Sequence, residues 1–401
     1  MARNCVFLRY DNPSGILPMS YFDNNATTQP SQKVLDAVSE AQGVDWANPS
    51  SPYRASAVVR AKLERARADI AECFSASPEQ LLFTSGATEA NNTYLAHQYH
   101  RLGKDQRILV SSIEHPSLSE PATSWFRGRV DWMPVNDQGL VAVNEVEERL
   151  QSNDYGLVCL MAANNETGVL QPWEPISQIC QARKIPFFCD ATQWVGKLDV
   201  SALGDCSGFS FSGHKFGGTK GVGGLVSKET MHPLIMGGRQ EKDQRGGTEN
   251  YPCIEGLRIA CEERLISDQA ENILRKQWRN EFEAKVCTLI PGTEVLGGKV
   301  ARLWNTSLLL LPNYENLRWV SLLDKLGFQV SSGAACSVSQ LKSDKQGLAA
   351  MGLGPLQIRR VIRVSSSWRT TERNWQDLAE AMAAVFTKLV QEFGESSVIS
   401  L

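Results

Sequence analysis

Short hydrophobic runs alternate with stretches of helical periodicity along the first two-thirds of the chain. Hydrophobic residues are nearly continuous within each run, as expected of strands that are buried on both faces of a parallel sheet. The runs are QLLFTS (80–85), RILVSS (107–112), GLVCLMAANN (156–165), IPFFCD (185–190) and GFSFS (208–212). Helical spacing of apolar residues predicts a helix over 56–74, and an acidic helix is predicted over 142–151. The pattern therefore predicts an α/β fold with a largely parallel sheet covered by helices.

The pattern changes after about residue 260. A long polar-rich helix is predicted over roughly 257–287, and shorter strands and helices follow it up to an amphipathic helix near 371–394. We predict a large α/β domain over residues 30–260 and a smaller α+β domain formed by residues 1–29 and 261–401. Since concave sites tend to form where domains meet, we expect a site between them.

Composition and charge narrow the classes of partner. The 41 Lys and Arg residues against 44 Asp and Glu residues give a net charge of -3, so we expect neither nucleic acid nor a membrane surface as a partner. The chain has no apolar run long enough to span a bilayer and no secretory signal at its start, which predicts a cytoplasmic protein. Its ten cysteines include no C-x-x-C pair, so neither a metal site nor a disulfide framework is predicted.

Polar or glycine-containing segments follow the predicted strands. They are TSGATEANN (84–92), SSIEHPS (111–117), NNETG (164–168), DATQ (190–193) and SFSGHK (210–215). The carboxyl ends of neighbouring parallel strands face one crevice, so these segments are expected to converge. SGAT (85–88) precedes a predicted helix and offers backbone N–H groups to a phosphate, although a simple helix cap explains the same residues.

The segment SFSGHK places Lys215 beside His214, and five glycines follow within nine residues. Pyridoxal phosphate needs an amine for a Schiff base, a carboxylate beside its ring nitrogen and donors for its phosphate. Lys215, Asp190 and Thr88 offer these groups. SGHK in isolation is better explained by a solvated loop lysine, but its combination with DATQ, SGAT and NNETG favours a pyridoxal phosphate site. The glycines suit a turn into a strand that passes close to the site.

The same segments resemble the cysteine desulfurase family, in the class V aminotransferase group of fold-type-I pyridoxal phosphate enzymes. The matching stretches span nearly the whole chain in the family's order. They are YFDNNATTQP (21–30), FTSGATEANN (83–92), EHPS (114–117), NNETGVLQP (164–172), DATQWVGK (190–197), SFSGHK (210–215), GGRQEKDQRGGTEN (237–250), SSGAACS (331–337) and IRVS (362–365). The resemblance implies a fold-type-I transferase with a large, mostly parallel sheet domain and a smaller α+β domain.

The resemblance also implies how the cofactor is held. Lys215 would carry pyridoxal phosphate and move the α-proton of the substrate, and His115 would stack on the ring and assist proton transfer. Asp190 would pair with the pyridine nitrogen and Gln193 would reach the phenolic oxygen. The residues implied around the phosphate are Gly86, Ala87, Thr88, Ser212, His214 and, from the neighbouring subunit of a homodimer, Thr248.

Two further residues are implied to bind the substrate. Asn165 and Arg363 would take its carboxylate, the arginine through its two-pronged geometry. A salt bridge inside the small domain is the alternative explanation of Arg363.

One cysteine stands apart from the apolar surroundings of the others. Cys336 lies in SSGAACSVSQLKSDKQG (331–347), where Lys342 and Lys345 favour a thiolate. The residues alone favour an incidental exposed thiol, whereas the resemblance implies a nucleophile. The implied reaction converts L-cysteine to L-alanine and leaves a persulfide on Cys336, for delivery to an acceptor protein in a pathway such as iron–sulfur cluster assembly.

Alternatives and departures from the family pattern accompany this interpretation. A selenocysteine lyase or a related C–S lyase shares the cofactor chemistry, and a cofactor-free scaffold protein is a second alternative. The chain has GTKG (218–221) where relatives have G-P-K-G, Arg239 in place of a glycine, and no histidine in the segment 48–56. The segment before Tyr21 is longer than the motif needs, and its role is not indicated by the sequence.

Overall fold

The computed structural model describes residues 20–265, 269–333 and 346–394. Cys336, Lys342 and Lys345 lie outside these ranges, and so do residues 1–19 of the segment before Tyr21. Among the described residues, no helix combines the length and the apolar character needed to cross a membrane.

A seven-stranded sheet forms the centre of the fold, and a three-stranded and a two-stranded sheet accompany it. The strands are β1 (Ser20–Tyr21), β2 (Leu81–Thr84), β3 (Arg107–Ser111), β4 (Val130–Met133), β5 (Tyr155–Cys159), β6 (Phe187–Asp190), β7 (Gly208–Ser212), β8 (Gly223–Ser227), β9 (Glu294–Val295), β10 (Thr306–Leu310), β11 (Phe328–Gln329) and β12 (Val361–Ser365). The central order is β2-β8-β7-β6-β5-β3-β4. Only β8 runs antiparallel to its neighbours, so the predicted, mostly parallel sheet is confirmed.

Helices cover the sheets. They are α1 (Gln32–Val44), α2 (Arg54–Cys73), α3 (Ala87–Arg101), α4 (Pro116–Trp125), α5 (Val143–Ser152), α6 (Trp173–Ala182), α7 (Tyr251–Arg264), α8 (Gln269–Leu289), α9 (Asn316–Lys325), α10 (Gln346–Ala350), α11 (Pro355–Ile358) and α12 (Glu372–Phe393). The expectations for 56–74, 142–151 and 371–394 correspond to α2, α5 and α12.

The single long helix predicted over 257–287 is wrong, because this part of the chain forms two helices. α7 begins six residues earlier, where the Asn250 side chain accepts a hydrogen bond from the Cys253 N–H, and it ends at Arg264. α8 then begins at Gln269.

A second cluster of buried hydrophobic residues supports the division into two domains, which stays a proposal. It includes Trp319 and Trp375 and lies around the antiparallel sheet β12-β10-β9 with α8, α9 and α12. Phe22 also belongs to this cluster, and its ring packs edge-on against Trp375 at 4.9 Å. The chain around Phe22 is thereby anchored to the second cluster, while the residues that follow it reach the ends of the central strands.

Candidate active site

Lys215 lies just beyond the carboxyl end of β7, in a short 3-10 helix (Gly213–Lys215). Its Nζ donates to the carbonyl oxygens of Asn25 and Ala26, at 2.8 and 3.0 Å. Burial and then the charge of Arg363 lower the pKa of the Lys215 amine to about 8, against the opposing effect of Asp190. A larger fraction of this amine is therefore unprotonated near neutral pH than for an ordinary lysine, and the neutral amine is the form that attacks a carbonyl.

Asp190 ends the neighbouring strand β6, and its register partner on β7 is Ser210. One carboxylate oxygen accepts from Asn91 Nδ2 at 2.9 Å and the other from the Thr192 N–H at 3.0 Å. Asn91 is held in turn by Ser210, whose hydroxyl donates to its Oδ1 at 2.6 Å. These hydrogen bonds fix the orientation of a carboxylate that is only 5% exposed.

Asn91 also connects Asp190 to His115. The second hydrogen of its amide goes to Ser117 Oγ at 2.9 Å, and this oxygen lies 2.8 Å from His115 Nδ1. Because the Ser117 N–H donates to the same Nδ1, the neutral ring carries its proton on Nε2. The sequence analysis did not select Asn91, although it lies in the quoted TSGATEANN segment.

Gln193 is fixed from two sides. Its Nε2 donates to the carbonyl oxygen of Asn25 at 3.0 Å, the same oxygen that Lys215 contacts. Its Oε1 accepts from Lys197 Nζ, which also donates to Asn25 Oδ1 at 3.3 Å. Burial lowers the pKa of the Lys197 amine well below its usual value, and the charges of Lys215 and Arg363 lower it further. Lys197 thus orients the amide of Gln193, a role that no sequence pattern indicated.

The region predicted to hold a phosphate brings together the start of α3, the end of β7 and the start of β8. Gly86 precedes α3 without a side-chain cap, and Ala87 and Thr88 begin the helix. A Cβ atom at Gly86 would stand 3.3 Å from Ser212 Oγ, and one at Gly223 would stand 2.7 Å from Gly86 Cα. Backbone N–H groups and a hydroxyl are therefore exposed to one space at the positive end of a helix, which suits a phosphate group.

His214 lies beside this space in a neutral form. Its Nδ1 is 3.1 Å from Thr27 Oγ1, and its carbonyl oxygen accepts from the Thr28 N–H at 2.8 Å. Burial, followed by the charges of Lys215 and Lys220, lowers the pKa of His214 to about 4. At neutral pH the imidazole is uncharged, so any phosphate it contacts receives a hydrogen bond rather than an ion pair.

Arg363, on β12, is paired within the chain. Its Nη2 donates to Asp23 Oδ1 at 2.6 Å and its Nη1 to the carbonyl oxygen of Asn165 at 3.1 Å. The guanidinium side chain is 5% exposed and the Asp23 side chain 20%. The salt bridge that was an alternative explanation of Arg363 is therefore present, and a substrate carboxylate would compete with Asp23.

Thr248 lies apart from these residues, exposed on the segment that precedes α7. The same segment is attached to the rest of the chain by two ion pairs. Glu241 forms a buried pair with Arg67 at 2.7 Å, and Arg245 pairs with Glu89 in the first turn of α3 at 2.9 Å. The contact of Thr248 with the phosphate of a neighbouring subunit stays a prediction.

Glu114 is a buried acid that the sequence analysis did not select. Its Oε1 accepts from the Met161 N–H at 2.6 Å, while its Oε2 is buried without a hydrogen-bond partner among the described residues. Burial and then the charge of Asp190 raise the pKa of Glu114 well above its usual value. The folded protein therefore keeps this proton at pH values where the unfolded chain has lost it.

This proton makes the stability of the protein depend on pH. A raised pKa in the folded state means that stability falls as pH rises above the unfolded value of about 4.3. Glu114→Gln, which keeps a neutral side chain of the same shape, is expected to remove this loss. The thermal midpoint of the variant should therefore rise relative to that of the unchanged protein as pH increases above about 4.3. The matched control is Glu120→Gln at an exposed position on α4; an equal pH effect in both variants would contradict the assignment.

The residues present fit a pyridoxal phosphate cofactor. A half-buried amine, a carboxylate on the adjacent strand and a helix N-terminus without a side-chain cap follow the carboxyl ends of β7, β6 and β2. The backbone at Gly86 approaches Ser212 and Gly223 so closely that neither glycine leaves room for a Cβ atom without a shift. Lys215, Asp190 and the Gly86–Thr88 turn are the groups that would hold the ring and its phosphate. Fold and site together define a fold-type-I pyridoxal phosphate enzyme.

Comparisons with known proteins identify the family. The model of the family described as aminotransferase class-V matches residues 20–378. The chain belongs to this family, whose members depend on pyridoxal phosphate.

Individual relatives agree with this membership. A cysteine desulfurase of Sinorhizobium fredii (strain NGR234) is 32% identical over 376 residues, which cover 92% of this chain and 97% of that protein. The solved structure of a NifS-like protein is 29% identical with a TM-score of 0.84, and covers 92% of this chain and 100% of its own. A structure described as SspA in complex with cysteine is 28% identical with a TM-score of 0.75, over 88% of this chain and 99% of that one.

Proposed function

We propose that this protein is a pyridoxal phosphate-dependent cysteine desulfurase. It converts L-cysteine to L-alanine and transfers the sulfur to Cys336. The observation that carries the proposal is the position of Lys215 after β7. Its half-buried amine is held by two carbonyl oxygens, has a pKa lowered to about 8 and interacts with the charge of Asp190. Similarity to cysteine desulfurases over 92% of the chain supports the same substrate.

The cofactor, when bound, draws electrons from the amino acid and so loosens both its Cα–H bond and its Cβ–S bond. Asp190, which accepts hydrogen bonds from Asn91 and Thr192, would pair with the ring nitrogen and keep it protonated. The turn Gly86–Thr88 would hold the phosphate together with Ser212 and His214. Gln193, oriented by Lys197, would donate a hydrogen bond to the phenolic oxygen.

Proton transfer falls to Lys215 and His115. The Lys215 amine would take the α-proton of the substrate, because its pKa of about 8 allows the amine to exist as a base near neutral pH. His115 is held by Ser117 through Nδ1 and presents its other nitrogen, which can give or take a proton.

Sulfur transfer requires a thiolate at Cys336, which lies outside the described residues. The thiolate forms an S–S bond with the sulfur of L-cysteine, the Cβ–S bond breaks, and its electron pair stays with the carbon that becomes the methyl group of alanine after protonation. The net change is one L-cysteine and one thiol converted to one L-alanine and one persulfide. No external oxidant is needed.

Arg363 and Asn165 bind the carboxylate of the substrate. The carboxylate of Asp23 already contacts Arg363 Nη2 at 2.6 Å, so the substrate replaces one ion pair by another. Asp23 therefore weakens binding while keeping the guanidinium in place when no substrate is present.

Asp23→Asn tests this competition. The neutral amide should hold Arg363 less strongly, so KM for L-cysteine is expected to fall roughly three- to tenfold while kcat changes little. Steady-state kinetics separate the two constants. Asp36→Asn, on the outer face of α1, serves as the control, and a higher KM in Asp23→Asn would show that Asp23 assists the substrate instead.

The assembly and the sulfur acceptor complete the proposal. The exposed position of Thr248, fixed by the ion pairs of Glu241 and Arg245, supports a homodimer in which it reaches the partner's phosphate. The protein would act in the cytoplasm and deliver sulfur to an acceptor protein, with iron–sulfur cluster assembly as one destination.

The products formed from L-cysteine test the function directly. Purified protein with bound cofactor and a thiol reductant is expected to yield alanine and sulfide in equal amounts. Pyruvate and ammonia in place of alanine would identify a C–S lyase that works by elimination. A parallel assay with L-selenocysteine distinguishes the remaining alternative, which predicts turnover of selenocysteine alone.

A further inference from the structure

A cavity of about 210 Å³ is lined by the segment 20–29, by Arg264 and by residues 367–374, which lie between β12 and the start of α12. Most of its lining residues carry a hydroxyl, an amide or a guanidinium group. They are Ser20, Tyr21, Phe22, Asn24, Thr28, Gln29, Arg264, Ser367, Trp368, Arg369, Thr370 and Asn374. Two of these residues are arginines, and none of them is an aspartate or a glutamate, so the lining carries only positive formal charge.

The positive charge of Arg264, at the end of α7, has no close negative partner among the described residues. Its Nε is buried without a hydrogen-bond partner among the described residues. The distance from its Nη2 to Glu263 Oε2 is 3.9 Å, too long for a hydrogen bond, and Glu263 already accepts one from Ser31. The guanidinium instead lies over the ring of Trp368, 4.7 Å from its centroid.

Charges of both signs act on Arg264, and its pKa is lowered on balance. Burial is the largest cause, Glu263 and Glu271 oppose it, and Arg369 and Arg275 lower the pKa further. The side chain of Arg369 is exposed, and its one contact given by the structure is a 3.4 Å hydrogen bond to the carbonyl oxygen of Pro30. Two guanidinium groups thus face the cavity without a close carboxylate on its wall.

Other arginines of the chain have a carboxylate at hydrogen-bond distance from the guanidinium. Arg67 pairs with Glu241 at 2.7 Å, Arg302 with Glu283 at 2.7 Å and Arg363 with Asp23 at 2.6 Å. Arg302 and Arg363 also have a buried Nε without a hydrogen-bond partner among the described residues, so what sets Arg264 apart is the lack of a close carboxylate. Charge-assisted contacts of this length are the usual solution for a buried cation. Arg264 lacks such a contact within the described residues, and an anion in the cavity would supply it.

We propose that this cavity, termed the Arg264 cavity, is a binding site for a small anion that presents a carboxylate or a phosphate group to Arg264 and Arg369. Its volume of about 210 Å³ admits an inorganic anion or a small organic acid, and is below the range of about 300–1,000 Å³ typical of larger ligands. Ser367 and Asn374 provide further polar groups for the remaining oxygens. The proposal concerns a different part of the molecule from the reaction site and does not depend on the proposed reaction.

The wall of the cavity is also connected to Lys215. Thr28, a lining residue, donates from its backbone to the carbonyl oxygen of His214 at 2.8 Å and from its hydroxyl to that of Lys215 at 3.2 Å. The segment 20–29 also supplies the carbonyl oxygens of Asn25 and Ala26 that hold the Lys215 amine. An anion that bridges this segment and the loop after β12 would raise the stability of the protein. It would also reduce the motion of the residues around Lys215.

Calorimetric titration of the protein with inorganic phosphate and, separately, with succinate tests the site. The protein is first saturated with pyridoxal phosphate, so that the probes do not enter the phosphate turn at Gly86. Saturable binding of either probe is expected, with a rise in thermal midpoint, and the probe that binds more tightly shows whether the site prefers phosphate or carboxylate. Arg264→Gln and Arg369→Gln are each expected to weaken binding by about tenfold or more.

Two features of these variants keep the test decisive. Arg369 is exposed, so Arg369→Gln leaves the packing intact even if the loss of the Arg264–Trp368 contact lowers the stability of Arg264→Gln. Arg373→Gln removes the same charge one residue from the lining Asn374, on a side chain that is 74% exposed, and is expected to bind as the unchanged protein does. Absence of saturable binding, or an equal affinity in Arg369→Gln and Arg373→Gln, would overturn the proposal.

Discussion

Lys215→Arg is expected to lose cysteine desulfurase activity by at least about a thousandfold. Arginine keeps the positive charge but offers no amine that can bind the cofactor covalently or act as a base near neutral pH, since its pKa exceeds 12. The purified variant should also lack the visible absorbance that a lysine-bound cofactor gives. Alanine formation from L-cysteine and the absorption spectrum measure the two effects independently.

The matched control for this change lies five residues further along the chain. Lys220→Arg alters an exposed lysine in the GTKG segment with the same loss of an amine and the same retained charge. It is expected to keep both the activity and the absorbance. If Lys215→Arg kept the absorbance and the turnover, Lys215 could not be the residue that binds the cofactor.

Cys336→Ser is expected to separate cofactor binding from sulfur transfer. A serine hydroxyl stays protonated near neutral pH and is a far weaker nucleophile than a thiolate, so we expect alanine formation from L-cysteine to fall by about a hundredfold or more. The absorbance of the bound cofactor, which depends on Lys215 and Asp190, should be unchanged. Turnover of L-selenocysteine that persists in the variant would favour the lyase alternative.

Cys287→Ser is the control for a general effect of losing a thiol. Cys287 lies on α8 and is partly buried, and burial raises the pKa of its thiol, which opposes thiolate formation. The control should retain full activity. An equal loss in both variants would point to a structural effect and contradict the role of Cys336.

The parts of the fold that were predictable from the sequence are those whose burial is uniform. Every residue of β5, β6 and β7 is buried, so each strand appears in the sequence as a hydrophobic run. β4 lies at the edge of the sheet and mixes Asp131 and Trp132 with apolar residues, and the hydrophobic pattern did not indicate it. The break between α7 and α8 was also missed, because the sequence between the two helices contains neither a proline nor a glycine.

Site residues were predictable where two conditions hold: the residue type suits the chemistry of the cofactor, and the residue follows a predicted strand. Lys215, Asp190 and the turn Gly86–Thr88 meet both conditions, and the structure brings them to one edge of the sheet. Their roles in binding the cofactor stay predictions.

The supporting residues could not be found in the same way. Asp23 and Arg363 are 340 positions apart, and Lys197 reaches Asn25 over 172 positions. Pairings of this kind are decided by the tertiary fold, and a single sequence carries no local signal for them. Glu114 is a comparable case, because its burial depends on the packing of Met161 and Asp190 around it.

The central claim is that a cofactor tethered at Lys215 allows the thiol of Cys336 to take sulfur from L-cysteine. Mass spectrometry of the protein after brief exposure to L-cysteine, with free thiols alkylated and alanine quantified in the same sample, tests it most directly. The claim predicts one additional sulfur atom on the peptide that contains Cys336 and a matching amount of alanine. Alanine without sulfur on that peptide, or sulfur distributed over the other cysteines, would contradict it.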